Sequence, residues 1–385
     1  MELTLFVEHQ CNLRCSYCYN GTKFNATMPW ETADKAIRAA LSRPPGTVFD
    51  LSFFGGEPLI RLDLVRRCVE LASSLMQGFA PRPRMRVLMN TNGTLIDDNA
   101  VALLAPNAAW QSTVFVSLDG PRALHDKHRV RVDGKGSYDD VVRGIRRLLD
   151  AHIPVVIMAV VGTRTARSLG ESLETFLSLG ASNIVFNIDY RDDWDDGSIV
   201  ELRAGLREAG DVLIEAFRKG AAPLVDPLHT KILSHMTGGL PCASRCTLDN
   251  EIAVAPSGRL YPCAQMIGED RSDHLVIGHV DTWVDRARVQ HLQHKKNAVE
   301  DTCADCAVRD RCQSHCGCRH VALTGELGQI DAVLCETERA MIEEADRVAQ
   351  QLHAEQCPAF IHQYYQRTWK AAPGAVLMPL RVRKS

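Results

Sequence analysis

The chain has 385 residues, 45% of them apolar and 24% charged, with a net charge of −3; this is the composition of an ordinary folded globular protein, long enough for two domains. Its charge gives no attraction to nucleic acid or an acidic membrane surface, no apolar run reaches transmembrane length, and "MELTLFVEHQ" lacks the features of an export signal. The expected compartment is therefore the cytoplasm, where fourteen cysteines read as metal ligands or redox centres rather than disulfides.

The first predicted strand, Leu3–Glu8, runs into "QCNLRCSYCYN", which places Cys11, Cys15 and Cys18 at C-x3-C-x2-C spacing. Closed zinc and iron–sulfur sites take four protein ligands. Three thiolates without a near fourth leave one metal position open. A zinc knuckle completed by His9 is the plainer alternative.

Further strands are predicted at Phe49–Phe54, Arg86–Asn90, Thr113–Leu118, Val155–Val161 and Asn183–Ile188, with amphipathic stretches such as "WETADKAIRAAL", "LDLVRRCVELASSLM" and "YDDVVRGIRRLLDA" between them. Six strands alternating with helices predict a parallel α/β layout, either a barrel or an open doubly wound sheet. The polar motifs follow the strands: Cys11 after the first, "GGEP" after the second, "TNGT" after the third, "SLDGP" at the end of the fourth. Ligands of α/β folds bind beyond the carboxyl ends of the strands, so these motifs are expected to share one mouth.

A long helix is predicted over Ile199–Lys219, and the first domain is expected to end near residue 218. Residues 219–345 are rich in turns and cysteines. "CADCAVRDRCQSHC" reads C-x2-C-x5-C-x3-C from Cys303 to Cys316, preceded by Cys242, Cys246 and Cys263 and followed by Cys335. A two-zinc ribbon using His315 or His320 is one reading of those spacings. Cys68 sits among apolar residues as a small hydrophobe, and Cys357 has no pattern around it. The helix Glu336–Glu355 and a basic tail close the chain, residues 346–385 forming a third segment.

The C-x3-C-x2-C loop with Tyr17 before its last cysteine resembles the radical S-adenosylmethionine (radical SAM) enzymes. "FFGGEP" and "SLDGPRALHDKHR" match further motifs of that family. The resemblance implies a partial (β/α)6 TIM-like barrel in which the methionine end of SAM chelates the open iron of a [4Fe-4S] cluster and is cleaved to a 5'-deoxyadenosyl radical. It implies that Gly56 and Glu57 hold the methionine amino group, Arg129 its carboxylate, Ser117 the ribose or carboxylate, and Tyr17 and Tyr190 the adenine. The later cysteines resemble the SPASM extension, a small Cys-rich domain with two auxiliary [4Fe-4S] clusters. By resemblance one takes Cys242, Cys246, Cys263 and Cys316, with Cys318 a substitute for Cys316, and the other takes Cys303, Cys306, Cys312 and Cys335.

SPASM enzymes mostly modify peptides or proteins, and a six-stranded barrel open at one side suits such substrates. The expected activity is a peptide maturase that abstracts hydrogen and oxidatively closes a thioether or carbon–carbon crosslink. The alternative enzyme is an anaerobic sulfatase-maturating, formylglycine-forming type. A non-catalytic iron–sulfur or zinc scaffold is the alternative of another class. Sulfatase maturases carry a catalytic aspartate directly after the cysteine of "YPC"; here Ala264 stands there, which cannot act as a base. Glu269 and Asp270 are nearby acidic residues, but no general base is identified. The chain starts directly with its first strand, so a separate leader-recognition protein is an expected partner, as is an electron donor such as flavodoxin or ferredoxin.

Overall fold

The computed structural model describes residues 1–42, 44–240, 246–249, 251–299 and 303–366. In chain order the first elements are β1 (Glu2–Glu8), β2 (Leu13–Cys15), α1 (Trp30–Ala40), β3 (Val48–Gly55), α2 (Leu62–Met76), β4 (Arg84–Thr91), α3 (Asp98–Leu104), β5 (Gln111–Ser117), α4 (Arg122–His128), β6 (Arg129–Arg131) and α5 (Tyr138–Asp150). There follow β7 (Val155–Val161), α6 (Leu169–Ser178), β8 (Asn183–Ile188), α7 (Asp196–Arg218), β9 (Leu224–Asp226), α8 (Leu228–Met236), β10 (Glu251–Val254), β11 (Arg259–Tyr261), β12 (Gly278–His279), β13 (Trp283–Val284) and α9 (Arg286–Asn297). Helices at Gly317–Thr324 and Ala332–Ala354 carry the later chain. All six predicted strands form.

Two compact units emerge. The first comprises residues 1–118, 125–156 and 247–295, and its strands run in the order β13-β12-β11-β10-β1-β3-β4-β5. Parallel pairing on both sides of β1, to β3 and to β10, explains its near-continuous apolar run. Leu3, Leu5, Phe6 and Val7 have no exposed surface. β4, paired between β3 and β5, instead alternates buried Met85, Val87 and Met89 with more exposed neighbours. Residues 247–295 join this unit because β10 extends the edge of β1 from Glu2↔Glu251 to Leu5↔Val254.

Among the described residues, the second unit takes in those of 119–124, 157–246 and 296–366, with β7, β8 and β9 parallel in that order over their paired residues. α7 starts on a capping box in which the Asp195 carboxylate accepts from Ser198 N at 2.7 Å. The helix Ala332–Ala354 begins four residues earlier than its apolar pattern predicts. Asp331 caps it, accepting from Val333 N at 2.8 Å, and this puts Cys335 inside the first helical turns. That helix packs on α7 and α8, burying Met341, Ile342, Ala345, Val348 and Leu352. Among the described residues no helix is long and apolar enough to cross a membrane.

Candidate active site

The three-cysteine loop occupies the C-terminal end of β1, where a parallel strand releases its chain. Its first half is held as β2, which pairs antiparallel with β6 so that Cys15 stands opposite Arg129. Cys11, Cys15 and Cys18 are all partly exposed, and donors already point at their sulfurs. Leu13 N lies 3.4 Å from Cys11 Sγ, Asn92 Nδ2 3.7 Å from the same sulfur, and Lys23 Nζ 2.7 Å from Cys18 Sγ. Such donors stabilise thiolate. Against them, burial first and the nearby Glu57 next push the Cys11 thiol up to about 11. Occupancy by a metal would have to supply the balance, which is the ordinary situation of a thiolate ligand. His9 is not poised to complete a zinc site: its ring is buried, stacked on Phe24 at 4.4 Å and tilted on Phe6 at 4.6 Å.

"GGEP" fastens this loop from behind. A Cβ on Gly56 would lie 2.2 Å from the carbonyl oxygen of Gln10 and 2.5 Å from that of His9, so only glycine lets β3 approach the cysteine loop. The backbone completes the clasp, with Gly56 N donating to Glu8 O at 2.7 Å and Glu57 N to Gln10 O at 2.9 Å. Glu57 has no exposed surface. Its carboxylate accepts from Thr91 Oγ1 at 2.8 Å, Asn92 N at 2.7 Å and Leu59 N at 3.1 Å. Burial outweighs those three donors and raises its pKa to about 7. Glu57 in this arrangement is a strut under the "TNGT" turn, with its oxygens committed to protein donors.

Asn92, to which the sequence reading gave no role, links these parts. Its amide nitrogen donates to Asn12 Oδ1 at 2.8 Å as well as approaching Cys11, and its side-chain oxygen accepts from Thr94 N at 3.0 Å. Asn12 in turn donates to Thr94 Oγ1 at 2.8 Å. Only the position of "TNGT" after a strand hinted at this lattice.

Arg129 is 6% exposed and so is not a solvated surface arginine. Its guanidinium carbon lies 5.2 Å from the centre of the Tyr17 ring. Ser16 Oγ and His128 Nδ1 are 3.0 Å apart, tying the same loop to the end of α4. Ser117 ends β5 and is partly exposed. The loop residues, Gly56, Arg129 and Ser117 thus belong to one unit. Tyr190 belongs to the second, where its hydroxyl sits 3.2 Å from Thr337 Oγ1 and its ring lies under Arg319 at 5.2 Å.

The second unit also holds a small cavity of about 30 Å³ whose lining includes Cys303, Cys306, Cys312 and Cys335. These are the four cysteines grouped together by resemblance. Two arrive from a tight turn in which Cys306 N donates to Cys303 O at 3.1 Å, one from the following loop, and Cys335 from its helix. Their sulfurs surround space instead of meeting at a point: among the described residues no three His, Cys, Asp or Glu side chains form a single-ion set. Four cysteines around one cavity are the donor set of a four-iron cluster. His320 is occupied, with Nε2 2.6 Å from Ser314 O and Nδ1 accepting from Gly328 N at 3.3 Å.

For the other auxiliary set, Cys263 lies in the first unit and Cys246 and Cys316 in the second, while Cys242 falls outside the described residues. Cys318 Sγ is 3.1 Å from Cys316 Sγ, so either could serve. Cys68 is fully buried on α2 and Cys357 is buried with its sulfur on Phe217 O at 3.4 Å, both as packing residues. Ala264 is buried, and its N–H donates to Glu251 Oε1 at 3.2 Å. Glu269 accepts from Thr22 N at 2.8 Å and pairs with Arg271 at 3.1 Å. Those contacts, the Thr22 N–H first, hold its carboxyl below the usual range, the wrong direction for a base working near neutral pH. Asp270 accepts from Tyr261 OH at 2.8 Å.

Comparison with known proteins agrees with this geometry. Over 330 residues the chain is 24% identical to a serine-type anaerobic sulfatase-maturating enzyme of Klebsiella aerogenes, covering 80% of this chain and 76% of that one. Among solved structures, anSMEcpe with bound AdoMet and the Cp18Cys peptide superposes with TM-score 0.74 at 19% identity, over 92% of this chain and 100% of that one. Streptococcus suis SuiB bound to its precursor peptide SuiA gives TM-score 0.59 at 16% identity, over 87% and 75%. At such identities these likenesses establish the fold, an α/β architecture of the radical SAM barrel type with a Cys-rich C-terminal region. Residues 7–176 match the model of the radical SAM superfamily and form a radical SAM domain.

Proposed function

We propose that this enzyme oxidises a side chain of a peptide or protein in the cytoplasm and closes a thioether or carbon–carbon crosslink. Cys11, Cys15 and Cys18 would hold the [4Fe-4S] cluster that binds SAM, with Arg129 on the methionine carboxylate, Gly56 beside the amino group, and Tyr17 and Ser117 towards the nucleoside. When bound, cluster and SAM supply the radical that takes a hydrogen atom from the substrate. Glu57 would act one step back, by fixing the Asn92 turn against Cys11.

The substrate radical must then lose an electron and a proton as the new bond closes. The eight later cysteines, in two sets of four, offer two further clusters as electron acceptors. Cys303, Cys306, Cys312 and Cys335 are the better supported set, since they share one cavity. An external donor of the flavodoxin or ferredoxin type would deliver the electron that starts the cycle, and a separate protein would present any leader.

The observation that carries crosslinking over formylglycine formation is Ala264. Where the resemblance to sulfatase maturases calls for a base, this chain has a buried methyl group whose backbone N–H is spent on Glu251. Formylglycine formation is the second reading, favoured by similarity to a serine-type maturase across most of both chains. Anaerobic co-expression with peptides encoded beside the gene, read by mass spectrometry, tests both. A crosslinked product loses two hydrogens and resists fragmentation between the joined residues. A serine converted to formylglycine also loses two hydrogens but reacts with hydroxylamine. An aldehyde in the product would overturn the crosslinking proposal.

A further inference from the structure

One buried carboxylate in the second unit faces the four-cysteine cavity. Glu338 is 1% exposed, lies one helical turn after Cys335, and lines that cavity with the four thiols. Its Oε2 accepts from Lys231 Nζ at 2.5 Å and from Gln313 N at 2.8 Å, and its Oε1 from Arg319 Nη1 at 2.6 Å. Lys231 has no exposed surface and also donates to Arg311 O at 2.8 Å. Gln313 directly follows Cys312, and its side chain is held by Arg319. The same carboxylate therefore clasps the loop of Cys312 to the helix of Cys335.

Stability is a weak reason for such an arrangement. Desolvating two cations and an anion costs much of what their attraction returns, and apolar replacements are often as stable. What an apolar core could not supply is a fixed field at the cavity, where water does little screening.

We propose that the Lys231–Glu338–Arg319 triad sets the reduction potential of the centre held by Cys303, Cys306, Cys312 and Cys335, with Glu338 as its positioning residue. The inference rests on the reading that these cysteines hold an iron–sulfur cluster. Reduction adds one electron to the centre. The two cations favour the reduced form and raise the potential; the carboxylate opposes them.

The test is a redox titration of the full-length, anaerobically reconstituted protein, followed by electron paramagnetic resonance. The signal to follow is the one that disappears in Cys335→Ala. Glu338→Gln removes the negative charge and shifts the midpoint upward. Lys231→Met removes a positive charge and shifts it downward. Arg319→Lys keeps the charge and leaves the midpoint near that of the unaltered protein. Opposite shifts cannot come from loosened packing alone. If Glu338→Gln fails to fold, the downward shift of Lys231→Met decides. With iron content intact, an unmoved midpoint in Lys231→Met, or shifts of the same sign in it and Glu338→Gln, overturns the inference. If the unaltered protein has no Cys335-dependent signal, the cluster reading fails and takes this inference with it.

Discussion

The two cysteine sites are built on opposite plans. Cys11, Cys15 and Cys18 lie on a loop at strand ends, partly exposed, and their supports are neutral or local: backbone N–H groups, the Asn12–Asn92–Thr94 lattice, and glycines that let the chain close behind. Cys303, Cys306, Cys312 and Cys335 surround a cavity whose wall includes Glu338, held in a buried ionic network. A centre that must exchange a ligand needs an approach and a firm back. One that only passes electrons needs a fixed shape and a fixed field.

The sharpest way to break this contrast is to remove one sulfur from each site. Cys15→Ala abolishes reductive cleavage of SAM, measured as 5'-deoxyadenosine formed with dithionite. Cys335→Ala keeps that cleavage while losing iron and peptide oxidation. If Cys335→Ala also stops SAM cleavage in a protein that retains the first centre, the division of labour between the sites is wrong.

The next largest effect concerns the back of the first site. Glu57→Ala leaves Thr91 Oγ1, Asn92 N and Leu59 N without their acceptor and lowers stability by about 2–4 kcal/mol, read by denaturant unfolding of the apoprotein. pH gives a second handle. Glu57 holds its proton up to about pH 7 in the folded chain against an ordinary value of 4.5. The folded state therefore binds an extra proton between those values, and its stability falls as pH rises through that window. The full effect is about 3 kcal/mol at most. Glu57→Gln keeps the shape and removes this slope. An unchanged slope in Glu57→Gln would show that the carboxylate is ionised throughout.

Much of this was legible in the sequence where the signal is local. Strand and helix periodicity located β1, β3, β4, β5, β7 and β8, and the C-x3-C-x2-C spacing located the first site, because each pattern spans a few residues. The start of the helix Ala332–Ala354 was missed since Asp331 acts through a cap, outside the apolar repeat. Asn92 and Cys11 are 81 positions apart, and Lys231 and Glu338 are 107 apart. Nothing in the neighbours of any one of these residues announces its partner. Glu57 shows the same gap from the other side: the motif was recognisable, while its burial and its bonds to Thr91 and Asn92 depend on β3 and β4 packing together.

A smaller effect tests the mouth of the first site. Arg129 stands opposite Cys15 and is nearly buried, and a planar guanidinium fork is the side chain that suits a carboxylate. Arg129→Lys keeps the charge and loses the fork. KM for SAM rises roughly tenfold with kcat nearly unchanged, the pattern of lost ground-state binding. A fall in kcat at unchanged KM would move Arg129 from binding the substrate to shaping the reaction.

The smallest effect belongs to a cysteine that neither site uses. Cys68 is fully buried on α2 between Leu64, Val65, Val69 and Ala72, where burial pushes its thiol up to about 12. Surrounded by apolar side chains, that thiol packs as a small hydrophobe. Cys68→Ala removes one sulfur from a close-packed helix and costs about 1 kcal/mol, with iron content and SAM cleavage unchanged. That places it at the other extreme from Cys15→Ala, the same substitution made at a partly exposed position. Loss of iron from Cys68→Ala would mean that α2 carries strain from its core to the cysteine loop, and the first site would then be less independent of its scaffold than its hydrogen bonds imply.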